Sequence, residues 1–139
     1  MVMLAGFSAA NSQGKITKSG ECVLQEAGAF DKSKIFTLEM KNAEVQLQFN
    51  LRGSDFFGRF IIQTTPKISN LSGKPKHIAY NIAFFDKNGQ LVASTSSSTN
   101  LAANEKDKYA GSNMPEIPRQ ALQTIASYQA VVYVMDGKK

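Results

Sequence analysis

Hydrophobic and polar positions alternate with a period of two over most of this 139-residue chain. The clearest example is the segment 44–52, where alternate residues are hydrophobic and the residues between them are polar. Its hydrophobic side chains are Val45, Leu47, Phe49 and Leu51. This alternation predicts a strand with one buried and one solvated face. The segment 34–40 is also strand-like, and Lys41-Asn42 would form the hairpin turn between the two strands.

The next segment, residues 53–58 (GSDFFG), interrupts the alternation. Residues 59–65 (RFIIQTT) predict another strand, whose continuation Pro66 would weaken because proline has no backbone N–H. Residues 70–75 (NLSGKP) combine Asn, Ser, Gly and Pro, which is typical of a turn.

The strongest strand signal is the segment 77–85 (HIAYNIAFF). Both of its faces are mostly apolar, which indicates a central strand. The following Asp86–Gly89 predicts a hairpin turn, because Gly89 can adopt the positive φ that a tight turn requires. Residues 90–95 would form the return strand, and residues 96–100 (SSSTN) either an edge strand or a loop.

Near the C-terminus, a helical stripe replaces the alternation. Within residues 115–126, Ile117, Ala121, Leu122 and Ile125 recur at helical spacing, which predicts one short helix. A short strand is expected within residues 105–109 and a final strand over residues 127–135. The chain thus predicts seven to nine strands with one short helix, and hence an antiparallel sandwich or barrel.

The first ten residues (MVMLAGFSAA) carry no charge and end in small residues. They are typical of the end of a secretory signal, although the apolar run is short and no basic segment precedes it. We therefore expect residues 1–13 to be a signal-peptide remnant or a flexible N-terminus, with a first strand as the alternative. Residues 14–139 would form a single domain. We expect a periplasmic or secreted protein, with a cytoplasmic location as the alternative, and no membrane-spanning segment.

The amino-acid composition excludes several kinds of functional site. The chain is 42% hydrophobic and 19% charged, an ordinary mixture for a soluble domain. It has one Cys, one His and no Trp, which excludes an internal disulfide framework, a Cys-rich zinc site and a multi-histidine metal site. Cys22 is expected to be buried and inert, and His77 to be a solvated residue at the start of a strand. The residue pattern predicts no catalytic residue, metal or cofactor.

The net charge is +5, and the stretch from Arg59 to His77 contains no acidic residue. This bias indicates either a solvated loop or a patch for an anionic partner. The adjacent Phe56 and Phe57 would either form an exposed tip for a partner or fill the end of the sandwich. The candidate interaction surface therefore consists of Phe56, Phe57, Arg59, Lys67, Lys74, Lys76 and His77.

Residues 67–133 resemble the FxLYD-type domains of bacterial extracytoplasmic proteins. The matching segments are residues 68–72 (ISNLS), 82–86 (IAFFD, at the place of the signature), 88–92 (NGQLV) and 101–105 (LAANE). Ile82, Phe84 and Phe85 stand where the family has Phe, Leu and Tyr, and Ala103-Asn104 stands where it has Pro-Gly. The resemblance implies an immunoglobulin-like β-sandwich, an envelope location and a non-enzymatic role.

These observations favour a non-enzymatic, exported β-sandwich module that binds a protein or cell-envelope partner by strand addition or loop contacts. The first alternative is a basic β-domain that binds nucleic acid, since the isoelectric point is about 9.4. The second alternative is a small hydrolase, with a cleft around His77, Asp55 or Asp86.

Overall fold

The computed structural model describes residues 14–28 and 31–137. These residues form eight strands, one α-helix (α1, Arg119–Leu122) and a single turn of 3-10 helix (Lys32–Lys34). The strands are β1 (Lys15–Glu21), β2 (Phe36–Lys41), β3 (Val45–Phe56), β4 (Arg59–Asn70), β5 (Lys76–Asp86), β6 (Leu91–Leu101), β7 (Lys108–Tyr109) and β8 (Ile125–Asp136).

The strands form two four-stranded antiparallel sheets that pack as a sandwich. Sheet I has the order β1-β8-β5-β6, and sheet II has the order β2-β3-β4-β7. The hairpins β2–β3, β3–β4 and β5–β6 each stay within one sheet, whereas the chain crosses between sheets after β1, β4, β6 and β7. The predicted fold, an antiparallel β-sandwich with one short helix near the C-terminus, is confirmed. The strand β5 is central, as its two apolar faces predict.

The inward faces of the two sheets form one core. All four hydrophobic residues of the alternating segment in β3 are fully buried. From β3, the Phe49 ring meets the Tyr80 ring of β5 edge-on, with centroids 4.8 Å apart, so that this pair joins the sheets. Burial of a side chain of this size contributes about 1.5–3 kcal/mol. The core therefore rests on the period-two pattern of the sequence.

The strand β3 runs through Gly53 to Phe56, although residues 53–58 were expected to interrupt it. A Cβ atom at Gly53 would lie 2.5 Å from Leu122 Cδ2 and 2.9 Å from Phe60 Cζ. Glycine is therefore needed for the close packing of α1 against the sheet, while the strand continues. Only Phe57 and Gly58 form the turn.

Pro66 likewise lies inside a strand, contrary to expectation, because β4 continues to Asn70. The Pro66 carbonyl accepts a hydrogen bond from Ala110 N at 3.2 Å, on the side away from β3. Since N–H and C=O of one antiparallel residue point to the same side, the missing N–H also faces this side. The neighbouring β7 has only two residues there, so the ladder to β3 loses no hydrogen bond.

The helix α1, with four residues, is much shorter than the helix predicted within residues 115–126. Before α1, Ile117 N donates to Phe60 O and Glu116 bridges to Ile61, so that this segment is extended along β4. After α1, β8 already begins at Ile125.

The strand β1 is a further difference from the predicted elements, because its seven residues show no alternation of hydrophobic and polar positions. It lies at the edge of sheet I. The predicted signal-peptide remnant, residues 1–13, lies outside the described residues.

Candidate functional site at the β3–β4 hairpin

The seven residues of the predicted interaction surface do not form one surface. Phe56, Phe57 and Arg59 lie at the tip of the β3–β4 hairpin, and Lys67 lies on the outer face of sheet II. Lys74 and Lys76 lie beyond the far end of β4, and His77 lies on the outer face of sheet I. The twelve residues of β4 separate the hairpin tip from the loop 71–75 by roughly 36 Å. The charge bias along the chain is therefore not a patch in space.

Lys76 in particular is buried, so it does not belong to an exposed surface. Its ammonium group donates to Glu44 Oε2 at 2.9 Å and to Asp136 Oδ1 at 3.1 Å. The hydrogen bond to Glu44, with the further contact to Asp136, raises the pKa of Lys76 against the opposing effect of burial. This residue connects the starts of β3 and β5 to the end of β8, which is a structural role.

The hairpin tip, defined here as residues 55–60, presents two aromatic rings. Phe56 pairs with Arg59, and the turn residues Phe57 and Gly58 have φ of 52° and 85°. Two consecutive residues with positive φ form the tight turn that suits the twist of a hairpin. The Phe57 side chain is 92% exposed and Phe56 37% exposed, with ring centroids 4.7 Å apart. Of the two alternatives for these rings, the one in which they fill the end of the sandwich is wrong.

The tip is held by an ion-pair network around Arg119 of α1. The Arg119 guanidinium contacts Glu26, donates to Asp55 Oδ2 at 2.8 Å, and lies 4.7 Å from the centre of the Phe60 ring. The hydrogen bonds to Glu26 and Asp55 raise the pKa of Arg119. Because the guanidinium joins three chain segments, it fixes the base of the hairpin tip. No pattern in the sequence predicts this contact, since Glu26 and Arg119 are 93 residues apart.

The charges near the tip are paired. Besides the Arg119 network, the Arg59 guanidinium lies 3.7 Å from the Glu116 carboxylate, and both side chains are exposed. The tip therefore combines an exposed aromatic pair with a rim in which two guanidinium groups are paired with three carboxylates.

An open groove of about 750 Å³ adjoins the tip on the outer face of sheet II. Phe56 and Asp55 line one end, and Lys34 lies among its other lining residues. Its floor includes Arg52 and Ser54, which donate to Gln63 Oε1 at 3.0 and 3.1 Å. The groove is continuous with the exposed aromatic pair, so a polypeptide segment seated on Phe57 could extend into it.

The other candidate residues have structural partners. His77 Nδ1 lies 2.7 Å from Asn100 Oδ1 on the outer face of sheet I. Asp86 Oδ1 accepts from the backbone N–H groups of Asn88 and Gln90, which is the predicted turn. Cys22 is buried, as predicted, and burial raises the pKa of its thiol to about 12. Across residues 14–28 and 31–137, no three His, Cys, Asp or Glu side chains are placed to hold a metal ion.

The edge strand β6 of sheet I is partly closed to strand addition. On β6, Ser96 N donates to Asn113 Oδ1 at 2.5 Å, and Asn113 N donates to Ser96 O at 3.3 Å. Lys108 Nζ donates to Asn100 O at 2.6 Å. These contacts occupy outward-facing backbone groups of β6, which opposes strand addition at this edge.

In the part of the chain that the structure describes, no helix has the length and hydrophobicity needed to cross a bilayer.

Comparisons with known proteins assign the chain to no family. No protein-family model matches the chain, and no curated protein matches it significantly. The FxLYD-type resemblance is therefore not confirmed. Among solved structures, the chain matches a crystal structure of a DUF1425 family member from Shewanella sp. pv-4, with 13% identity and a TM-score of 0.34. The match covers 86% of this chain and 98% of that chain.

Proposed function

We propose that this protein is a non-enzymatic β-sandwich module of the cell envelope, which binds a protein partner through the β3–β4 hairpin tip. The observation that carries the proposal is the exposed aromatic pair, Phe56 and Phe57, at the end of a fixed hairpin. The FxLYD-type resemblance of residues 67–133 agrees with such a role.

The Phe57 ring is the main source of binding energy at the tip. Transfer of a phenylalanine side chain from water into an apolar site is worth about 1.5–3 kcal/mol, and folding leaves this gain unused at position 57. A partner that covers the ring would recover it on binding. The contacts of Arg119 with Glu26 and Asp55 fix the tip beforehand, so that binding loses less conformational entropy.

The chemistry of the tip favours a protein over the alternatives. A nucleic-acid site needs an unpaired basic groove with stacked aromatic rings. Here both Arg59 and Arg119 are paired with carboxylates, so the rim offers no excess positive charge to phosphates. An apolar anchor inside a rim of paired charges is typical of protein interfaces. The adjoining groove would accept a segment of the partner with mixed polarity.

Export is the second part of the proposal and rests on residues 1–10. It is tested by fractionation of the native host and N-terminal sequencing of the recovered protein. We expect an extracytoplasmic protein that begins after Ala10. Recovery from the cytoplasm with Met1 intact would contradict export and leave the binding proposal standing.

Binding at the tip is tested by placing a photo-reactive phenylalanine analogue at position 57 in the native host. Position 87 is the matched control, because Lys87 lies in the exposed turn of the other hairpin, β5–β6. We expect one discrete protein adduct from position 57 that position 87 does not give, and we expect Phe56→Ser to weaken it. Equal adducts from both positions, or adducts with nucleic acid, would overturn the proposal.

A further inference from the structure

On the outer face of sheet I, the three strands β5, β6 and β8 carry no charged side chain. Residues on these strands alternate between the core and the outer face, and the pairing registers align the outward residues in rows. The fifteen outward residues are His77, Ala79, Asn81, Ala83, Phe85, Leu91, Ser94, Ser96, Ser98, Asn100, Ser127, Gln129, Val131, Tyr133 and Met135. We call this surface the uncharged face.

The absence of charge at these fifteen positions is unusual for a solvated surface. Designed soluble surfaces carry charged residues at about a quarter to a third of positions, so about four would be expected here. The outer face of sheet II, by contrast, includes Glu39, Arg52 and Lys67. The uncharged face also holds three large exposed side chains, Leu91, Tyr133 and Met135.

We infer that the uncharged face is the contact between two copies of this chain, related by a two-fold axis that lies in the interface and runs perpendicular to the strands. Each outward residue of a sheet covers roughly 33 Å², so fifteen residues cover roughly 500 Å² before side-chain relief is counted. With the four outward residues of β1 the area is roughly 630 Å² per partner, at the lower end of the range of about 600–1,000 Å² for a standard interface.

The charges on β1 support this symmetry. Lys15 is paired in register with Tyr133, and its ammonium group lies 5.8 Å from the centre of that ring. Glu21 is paired with Ser127 and lies on the same outer face at the other end of β1. The proposed axis reverses the strand direction and places β1 against β1 of the second copy. Lys15 of each copy then lies opposite Glu21 of the other.

The sizes of the side chains are complementary under the same symmetry. The row that contains Ala79, Tyr133 and Ser98 falls opposite the row that contains Phe85, Ser127 and Leu91. Small residues therefore face large ones: Ala79 faces Phe85, Ser127 faces Tyr133, and Ser98 faces Leu91. Each copy carries +5, and contact across the uncharged face desolvates no ion of β5, β6 or β8.

The test measures the oligomeric state of the full chain by sedimentation equilibrium over a range of concentrations. We expect a dimer that Ala79→Arg dissociates, with Kd at least about 100-fold higher, because an unpaired cation would be buried at the contact. The control Gln48→Arg, on the outer face of sheet II, should leave the dimer unchanged. A monomer at all concentrations, or a dimer insensitive to Ala79→Arg, would overturn the inference.

A charge exchange tests the symmetry itself. Lys15→Glu should weaken the dimer about tenfold, because it places two carboxylates opposite each other at both ends. Adding Glu21→Lys should restore the original Kd. Within one chain these positions are roughly 20 Å apart, beyond the reach of a screened interaction, so the rescue can occur only between copies. Failure of the rescue in a stable dimer would exclude the proposed axis.

Discussion

Asn70 holds the loop 71–75 to the end of β6 through a side chain that is fully buried. Its amide nitrogen donates to Lys74 O at 2.8 Å and to Ala102 O at 3.0 Å. Its amide oxygen accepts from Ser72 N at 3.0 Å and Ser72 Oγ at 2.8 Å. All four hydrogen-bonding positions of the amide are therefore used. A side chain of the same shape that lacks the two N–H donors should destabilise the fold.

We predict that Asn70→Asp lowers the free energy of unfolding by about 3–4 kcal/mol at pH 7. The substitution keeps the acceptor for Ser72 but leaves the carbonyls of Lys74 and Ala102 without a donor, at about 1–3 kcal/mol each. This is a large part of the roughly 5–15 kcal/mol that stabilises a domain. Urea denaturation followed by circular dichroism measures the change.

The stability that Asn70→Asp loses relative to the wild type should increase as the pH rises. Burial and the two facing carbonyls raise the folded-state pKa of the introduced carboxyl above its unfolded value of about 3.9. Its protonated form is therefore favoured in the folded state, so the variant loses stability as pH rises through the folded pKa. Measured relative to the wild type, the deficit should be smaller at pH 4 than at pH 7.

Asn42→Asp is the matched control. The hydrogen bonds found for the Asn42 side chain use its oxygen, which accepts from Glu44 N and Val45 N, each at 2.8 Å. A carboxylate keeps both bonds, so this variant should be as stable as the wild type or more stable. Equal losses for Asn42→Asp and Asn70→Asp would refute the reasoning, since the two sites differ in their donors.

Three further predictions concern the core, the thiol and the tip. Gly53→Ala should cost about 1–3 kcal/mol in urea denaturation, because its Cβ would overlap Leu122, whereas Gly73→Ala, with no neighbour within 4 Å, should cost little. Burial raises the pKa of the Cys22 thiol from its ordinary value of 9.0 to about 12, so its contribution to stability is complete below pH 9 and is lost as pH rises towards 12. This loss amounts to about 2 kcal/mol at pH 10.5, and Cys22→Ala should remove that part of the alkaline decline. Phe57→Ser should change the free energy of unfolding by less than about 0.5 kcal/mol, because the ring is 92% exposed; a larger loss would show that the ring stabilises the fold.

The strands that the sequence predicts are those that send alternate side chains into the core. In β3, alternate side chains enter the core, so Leu47 and Phe49 mark the buried face directly. The strand β1 gives no such signal, because six of its seven residues are exposed and its conformation depends on hydrogen bonds to β8. An edge strand of this kind is determined by its partner more than by its own residues.

The site was predicted less completely than the fold, for a related reason. The residues Phe56 and Phe57 were identified because two adjacent aromatic rings in a turn are visible in the sequence. Their exposure is not visible in the sequence: in the folded chain Leu122 and Phe60 are buried in the core, whereas Phe57 is exposed. The network around Arg119 depends on contacts between residues 64 and 93 positions apart. Only the folded chain brings these together.

The two proposals together determine how a dimer would present its tips. The tip belongs to sheet II, and the proposed contact belongs to sheet I, so that binding and dimerisation use different faces. Strands of packed sheets run within about 30° of each other, so an axis perpendicular to the strands of sheet I points the two tips in roughly opposite directions. Two tips so placed cannot both reach one flat surface, and the dimer should gain no avidity there. We therefore expect a dimer to bind two separate partner molecules. A partner-to-chain ratio of 1:2, measured by light scattering of the purified complex, would contradict this arrangement.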